Sequence, residues 1–396
     1  PCVFLWDAQT KAGTLVTVNA DGNAAASGSS SAPAISADGR VVAFVSNGTN
    51  LVTGGTSGGF QVYVRDVQTG VTKLASIRPD GTPTSDADAA IPILSADGRV
   101  VVFQSLDDTL VPGDGNQAYD VFARDIVSDT TELVSQRDAN LPSLTATGES
   151  WAGANAVSGD GRFVAFASQA ADLVPNDRNH LSDVFVRDLQ SGANTLVSAN
   201  AENSRSGNGI SLNPAISANG LRVAFVSFAD NLAAQPAGVT DGNQVEDVFV
   251  RDLANSATTL VSVDATGTGS GLGASSNPFL TPDGRFVVFE SLAVNLASSN
   301  PLNDTNAATD VFVRDLQTGT TTLVSRHRTL PMAANGASSS PVLTPDGRFV
   351  AYQVGESGRD SIWVRGFDPG GRPPAARTWR ISDGDAWANF WDWYGL

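Results

Sequence analysis

The sequence predicts an all-β chain assembled from repeated four-stranded antiparallel sheets. Three observations predict it. The segment Asp310-Val-Phe-Val-Arg-Asp-Leu-Gln-Thr-Gly-Thr-Thr-Thr-Leu-Val-Ser325 is written again at 120–135, 183–198 and 247–262, and in looser form at 61–76, 361–382 and 2–18. Within each copy apolar and polar residues alternate on both sides of a short polar break, which is the pattern of a β-hairpin. A second hairpin precedes it: in 277–291 the pair Asp283-Gly284 stands between two strand-like runs, and glycine takes positive φ there without steric cost.

Taken in order, the opening fragment 2–18 matches only the second hairpin of a repeat. Six full repeats follow, at about 32–76, 90–135, 154–198, 213–262, 277–325 and 340–382. Their first hairpins turn at Asp38-Gly39-Arg40, Asp97-Gly98-Arg99, Asp160-Gly161-Arg162, Asp283-Gly284-Arg285 and Asp346-Gly347-Arg348, with Asn219-Gly220 as the variant. Connectors such as 22–31 and 265–276, rich in Ser, Gly, Ala and Asn, are polar loops leading from one repeat to the next. A four-stranded repeat that cannot close on itself must bury its faces against neighbours, and radial stacking of such sheets makes a β-propeller. The expected fold over 1–382 is therefore a seven-bladed β-propeller of four-stranded antiparallel blades, the first blade (1–18) incomplete.

The tail 383–396 breaks the pattern by packing Trp387, Phe390, Trp391, Trp393 and Tyr394 into a few residues. Aromatic density of this kind favours burial. The tail is expected to pair with the N-terminal half blade and close the ring, the alternative being a surface for a partner or for carbohydrate.

The run Thr-Pro-Asp-Gly-Arg-Phe-Val-Val-Phe at 281–289, followed by Asp-Val-Phe-Val-Arg-Asp-Leu at 310–316, resembles the WD40-like (PD40) repeats of TolB-type propellers, in the version found in bacterial surface and secreted proteins. The resemblance covers nearly the whole chain. It implies a fold rather than a function, since propellers host binding modules and enzymes alike.

Composition narrows the classes. A formal net charge of −17 argues against nucleic acid, whose phosphates need a basic face, and suits solubility outside the cell and affinity for cations. Cys2 alone can form no internal disulfide. No run of about twenty apolar residues is present to span a membrane. No signal peptide is legible, and the chain opens inside a repeat, as a mature or excised product would. The expected location is extracellular or at the bacterial cell surface, with the periplasm as the alternative.

The informative variation lies between the second and third strands. Four repeats carry Asp-x-Asn-x-x-x-Asp there: Asp114/Asn116/Asp120, Asp177/Asn179/Asp183, Asp241/Asn243/Asp247 and Asp304/Asn306/Asp310. Alternating side-chain oxygens closed by a further carboxylate suit a hard cation, and Ca²⁺ takes about six to eight oxygens. These twelve residues are the candidate metal ligands and calcium the candidate cofactor. The competing reading is that Asp and Asn shape the loop through side-chain-to-backbone turns. The loops 53–61 and 355–361 lack the triplet and serve as internal controls.

The third-strand arginines Arg65, Arg124, Arg187, Arg251, Arg314 and Arg365 are expected to be structural struts between strands, with Asp125, Asp188, Asp252 and Asp315 nearby. Catalytic patterns are thin. His180 and His327 lie in different repeats, and Gly55-Thr-Ser-Gly-Gly59 sits in a glycine-rich loop rather than on a strand-to-helix turn. Asp86, Asp88, Glu149 and Glu202 are connector carboxylates that could reach a channel mouth, with solvated loop charges as the simpler reading. The expected function is a structural or interaction module that binds a protein partner or itself, with calcium-braced loops. The alternatives are a polysaccharide hydrolase or lyase using channel carboxylates, and a surface or filament subunit that assembles through its open half blade.

Overall fold

The computed structural model describes residues 1–7, 9–84, 90–137, 148–233, 241–297, 308–326, 336–356, 359–366 and 378–380. Among them are twenty-six strands and no helix. The strands form one two-stranded sheet and six four-stranded antiparallel sheets, each meandering through neighbours in sequence. This is the seven-bladed β-propeller expected, with the half blade where the sequence put it.

The half sheet is β1 (Phe4–Asp7) and β2 (Ala12–Leu15). The first full sheet is β3 (Ser30–Ile35), β4 (Val41–Ser46), β5 (Gln61–Asp66) and β6 (Val71–Leu74). The second is β7 (Ala90–Leu94), β8 (Val100–Ser105), β9 (Asp120–Asp125) and β10 (Thr130–Leu133). The third is β11 (Ser150–Trp151), β12 (Phe163–Ser168), β13 (Asp183–Asp188) and β14 (Ala193–Leu196). The fourth is β15 (Ser211–Ile216), β16 (Arg222–Ser227), β17 (Asp247–Asp252) and β18 (Ala257–Leu260). The fifth is β19 (Ser275–Leu280), β20 (Phe286–Ser291), β21 (Asp310–Asp315) and β22 (Thr320–Leu323). The sixth is β23 (Ser338–Leu343), β24 (Phe349–Glu356), β25 (Arg359–Gly366) and β26 (Thr378–Arg380). Two units divide the chain, Pro1–Leu196 and Val197–Leu396.

Period-two alternation explains the packing within each unit. The valines of the Val-Phe-Val strands face the sheet that follows in sequence, and the phenylalanines face the one before. In the first unit Val62 and Val64 share a cluster with Phe103 and Phe122. In the second, Val248 and Val250 do the same with Phe289 and Phe312. Each such phenylalanine stacks on its cross-strand partner, with centroids 5.8 Å apart for both Phe103–Phe122 and Phe289–Phe312. Both faces of a sheet are thus apolar, which is why its two central strands are almost wholly buried.

The first strands of five full sheets carry a proline, which a central strand would not tolerate. The structure resolves this with a bulge: register shifts between Ser31 and Ala34, Leu212 and Ala215, and Ser276 and Phe279. The residue before each proline, Ala32, Asn213 or Asn277, sits at φ near +50°. In the third sheet the bulge is wider. Its first strand starts at Ser150, and contact resumes at the Val157↔Val164 bridge after Asn155 at φ 58°.

The Asp-Gly-Arg turns are built alike. Ser36 Oγ donates to Asp38 Oδ1 (2.6 Å) and accepts from Val41 N (2.9 Å), while Asp38 Oδ1 accepts from Arg40 N (3.0 Å). The turn arginine then reaches the end of the third strand: Arg40–Asp66 at 2.6 Å, and Arg99–Asp125, Arg162–Asp188 and Arg285–Asp315 each at 2.7 Å. This corrects the expected pairing of the third-strand arginines, since those aspartates belong to the turns. The third-strand arginines bond instead to the residue opposite them on the fourth strand, Arg65 to Thr72 (2.8 Å) and Arg314 to Thr321 (2.8 Å), or reach the preceding sheet, as Arg187 does to Glu132 (2.9 Å). Their structural role stands.

Turn glycines are doubly constrained. Gly161 has φ +72°, and a Cβ there would lie 2.5 Å from Val100 of the preceding sheet, whereas at Gly39, φ +73°, nothing stands within 4 Å. Alanine at either position meets the left-handed penalty of about 1–2 kcal/mol, but only at Gly161 must a packed side chain also move. Gly161→Ala should therefore cost about 1–3 kcal/mol more than Gly39→Ala in denaturant unfolding. Equal losses would remove the inter-sheet contact as the reason for this glycine.

The same turns set an acid limit. The Arg40 and Arg162 guanidiniums hold Asp66 and Asp188 well below the usual carboxylate range. For Asp125 and Asp315 partial burial pulls upward, but Arg99 and Arg285, with backbone N–H groups, outweigh it, leaving Asp125 at about 2. A depressed folded pKa gives stability that is complete above the unfolded value of about 3.9 and is lost as pH falls through the folded one. Melting temperature should fall between about pH 4 and pH 2, and Arg162→Gln should shallow that fall; an unchanged slope in the variant would assign the acid limit to other carboxylates.

Candidate cation-binding loops

The structure places three of the four triplets in described residues; Asp304 and Asn306 of the fourth lie outside them, as do His327, Asp86, Asp88 and the tail 383–396. In each described triplet the asparagine side chain closes a local turn. Asn116 Oδ1 accepts from Ala118 N (2.9 Å), Asn179 Oδ1 from Leu181 N (2.7 Å) and Asn243 Oδ1 from Val245 N (3.0 Å). The next residue is in the left-handed region every time, Gln117 at φ 55°, His180 at 58° and Gln244 at 61°. Asn and Asp favour such turns because a short polar side chain can mimic the backbone.

The last aspartate of each triplet opens the third strand and is fully buried. Asp120 Oδ1 accepts from Ser135 Oγ (2.5 Å), and that hydroxyl accepts in turn from Val121 N (3.1 Å). Asp247 with Ser262 repeats this (2.5 Å), and Asp310 bonds to Ser325. The carboxylate thereby pins the end of the fourth strand.

The first full sheet shows what the position needs when the triplet is absent. There Gln61 Oε1 accepts from Ser76 Oγ (2.6 Å), while Nε2 donates to Thr84 O (3.2 Å). In the fourth sheet Asn243 Nδ2 donates both to Asp247 Oδ2 (2.7 Å) and to Gly271 O (2.8 Å), and Gly271 is the residue equivalent to Thr84, each following the bridge that opens its connector. Asn243 and Asp247 together make the hydrogen bonds that Gln61 makes alone. The glutamine carries no charge; the triplet adds carboxylates.

Those carboxylates face one another. Burial, then the charges of Asp120 and Asp108, push Asp114 up to about 7 although the N–H groups of Gly115 and Asn116 oppose it. Burial pushes Asp120 up to about 6 against hydrogen bonds from Ser135 and Asn116. In the fourth sheet burial raises Asp247, with Asp241 adding to it, and burial raises Asp241, with Asp230 adding to it. Like charges paired at a buried and a half-buried position favour whatever positive charge can join them, a proton or a metal ion.

Asp108 and Asp230 were not among the sequence candidates. Each stands three residues after the serine that ends the second strand, Ser105 or Ser227, and that shared offset is the signal that could have found them. Asp108 Oδ1 and Asp114 Oδ1 are buried without a hydrogen-bond partner among the described residues. Asp230 is exposed and accepts from Asn208 Nδ2 (2.7 Å). Among the described residues no three His, Cys, Asp or Glu side chains converge closely enough to form a metal site by themselves. An ion here would take two carboxylates, with carbonyls and water for the rest.

The other candidates have ordinary roles. Glu202 accepts from Asn200 Nδ2 (2.8 Å), and His180 is exposed on its loop. Gly55 and Gly58 both have positive φ in the loop between β4 and β5, away from any strand-to-helix turn.

No protein-family model matches the chain. No curated protein matches it either. Among solved structures it is similar to an oligogalacturonate lyase in complex with manganese (13% identity, 97% of this chain and 85% of that one, TM-score 0.55). It is similar also to prolyl endopeptidases (13% identity, 96% and 46%, TM-score 0.56) and to TolB from Acinetobacter baumannii (14% identity, 82% and 60%, TM-score 0.41). The chain thus spans 60% of the TolB chain and under half of the endopeptidase chain. At these identities the likeness is one of fold, the β-propeller that the TolB-type repeats imply.

The buried Asp–Ser pair gives a test that needs no ligand. Ser135→Ala leaves Asp120 Oδ1 and Val121 N unsatisfied at a site of zero exposure, so it should cost about 1–3 kcal/mol in unfolding. Exposed Ser27→Ala is the reference substitution, and a loss no greater than its own would mean that the pair does not hold the fourth strand.

Proposed function

We propose that the chain is a non-enzymatic binding propeller of an exported bacterial protein, whose triplet loops hold calcium and stiffen the face on which partners dock. The observation that carries this reading is the pairing of a half-buried with a buried carboxylate, Asp114 with Asp120 and Asp241 with Asp247, at positions where Gln61 shows that hydrogen bonding alone requires no charge. Two carboxylates and the carbonyls of a tight loop are the hard oxygen donors that Ca²⁺ prefers. The asparagine oxygens keep a second lone pair beyond the turn bond they accept. Asp177 and Asp183 would act likewise in the third sheet, and Asp304, Asn306 and Asp310 in the fifth.

An acidic exported module fits the formal charge of −17, and among the described residues no helix is long and apolar enough to cross a membrane. The second reading, lyase chemistry on an anionic polysaccharide, has the likeness to oligogalacturonate lyase behind it. The charge argues against that reading, because a strongly acidic surface repels a polyuronate. Serines at the ends of the first strands are spent on structure, as in Ser30–Ser46 and Ser275–Ser291, both 2.9 Å.

Calcium added to chelator-treated protein should raise the melting temperature. A ligand that binds only the folded state stabilises it by about 2.7 kcal/mol at a hundredfold excess over Kd. Asp114→Asn combined with Asp241→Asn should shrink the rise, and magnesium, which demands a stricter octahedron, should reproduce it poorly. No heat of binding and no thermal shift would leave the triplets as turns.

A further inference from the structure

Where the third sheet meets the second, a buried arginine finds its counter-charge. Arg187 donates through Nε and Nη2 to Glu132 Oε1 (3.1 and 2.9 Å), through Nη2 also to Gln136 Oε1 (2.7 Å), and through Nη1 to Gly192 O (2.7 Å). The sixth sheet meets the fifth with the same architecture and other residues. Register pairs Val350 with Arg365 as it pairs Val164 with Arg187, so Arg365 is the counterpart of Arg187. Glu132 pairs with Ala123 and precedes Leu133, while Thr322 pairs with Val313 and precedes Leu323. Gln136 follows Ser135, and Arg326 follows Ser325. A threonine thus stands where the glutamate stands in the second sheet, and an arginine where the glutamine stands.

The two guanidiniums are left with backbone partners. Arg365 Nη1 donates to Val324 O (2.9 Å) and Arg326 Nε to Leu323 O (2.9 Å), carbonyls of consecutive residues at the end of β22. Burial lowers the pKa of both arginines, and the charge of Arg326 lowers Arg365 further while Tyr352 opposes it. Each guanidinium has five N–H donors, of which the described residues engage one. The described carboxylates of these two sheets are committed elsewhere. Asp310 accepts from Ser325, Asp315 from Arg285 and Glu290 from Ser340 N, while Asp283 and Asp346 close their own turns. Arg326 and Arg365 are both partly exposed, so solutes can reach them.

We propose that Arg326 and Arg365 form a binding site for a small oxyanion, of phosphate type or a ligand carboxylate, which supplies from solution the negative charge that Glu132 supplies to Arg187. Guanidinium groups suit such a ligand because their paired N–H donors match two oxygens of one anion. The bound anion clamps β22 to β25, as the Glu132–Arg187 pair clamps β10 to β13.

The test is isothermal calorimetry on the whole chain, dialysed free of calcium and of chelator so that the calcium reading plays no part. Inorganic phosphate, sulfate and acetate are titrated against a chloride reference at equal ionic strength. Saturable heat is expected from at least one of them, and the tightest binder separates a phosphate-type ligand from a carboxylate. Arg326→Gln should weaken that binding at least tenfold. Thr322→Glu restores the arrangement of the second and third sheets from within; it should abolish binding and raise the melting temperature in chloride towards that of the anion-saturated parent. Because this variant gains stability, its loss of binding cannot come from unfolding. No saturable heat, or heat unchanged in either variant, overturns the proposal. So does binding that appears only after Asp368→Asn, since the first carboxylate beyond Arg365, which lies outside the described residues, would then be the occupant.

Discussion

Each sheet of this chain is unfinished until the next one covers it, and the rest of the structure follows from that constraint. Valine and phenylalanine alternate on the central strands, so one face presents Val62 and Val64 to the following sheet and the other presents Phe103 and Phe122 to the preceding one. Neither face could be left in water cheaply, since burying a side chain of this size is worth about 1.5–3 kcal/mol. Strict repetition is the economical solution, because a sheet that fits its neighbour also fits its neighbour's neighbour.

Polar groups hold the ends of the strands where apolar packing cannot. At one end the Asp-Gly-Arg turn ties the first hairpin to the third strand through pairs such as Arg162–Asp188. At the other a buried Asp, or Gln61, receives a serine hydroxyl from the end of the fourth strand. The glutamine variant separates two functions that the aspartate combines: one acceptor oxygen is architectural, while the negative charge is not required by the architecture. That surplus charge is what the proposed calcium sites rest on.

The half sheet shows the same constraint from the opposite side. Phe4, Asp7, Ile35 and Gly39 have the residue types of positions that the first hairpin of a sheet covers elsewhere in the chain. Phe4 is exposed, whereas Tyr63, Phe122, Phe185, Phe249 and Phe312 at its position are buried. These residues form a matching set, because each has a counterpart elsewhere in the chain.

The sequence by itself determined the repeat, its four strands, the Asp-Gly turns and the half blade, because these rest on local periodicity and turn chemistry that a few adjacent residues encode. It also marked the triplet loops, though it left turn and ligand undivided. Only the tertiary structure decided partners: that Asp66 belongs to Arg40 rather than to Arg65, that the charges of Asp108 and Asp230 act on Asp114 and Asp241, and that Asn243 with Asp247 equals Gln61. Arg40–Asp66, Gln61–Thr84 and Asn243–Gly271 span 26, 23 and 28 positions. Contacts at that range depend on strand register and on the approach of neighbouring sheets, which no short stretch of sequence carries.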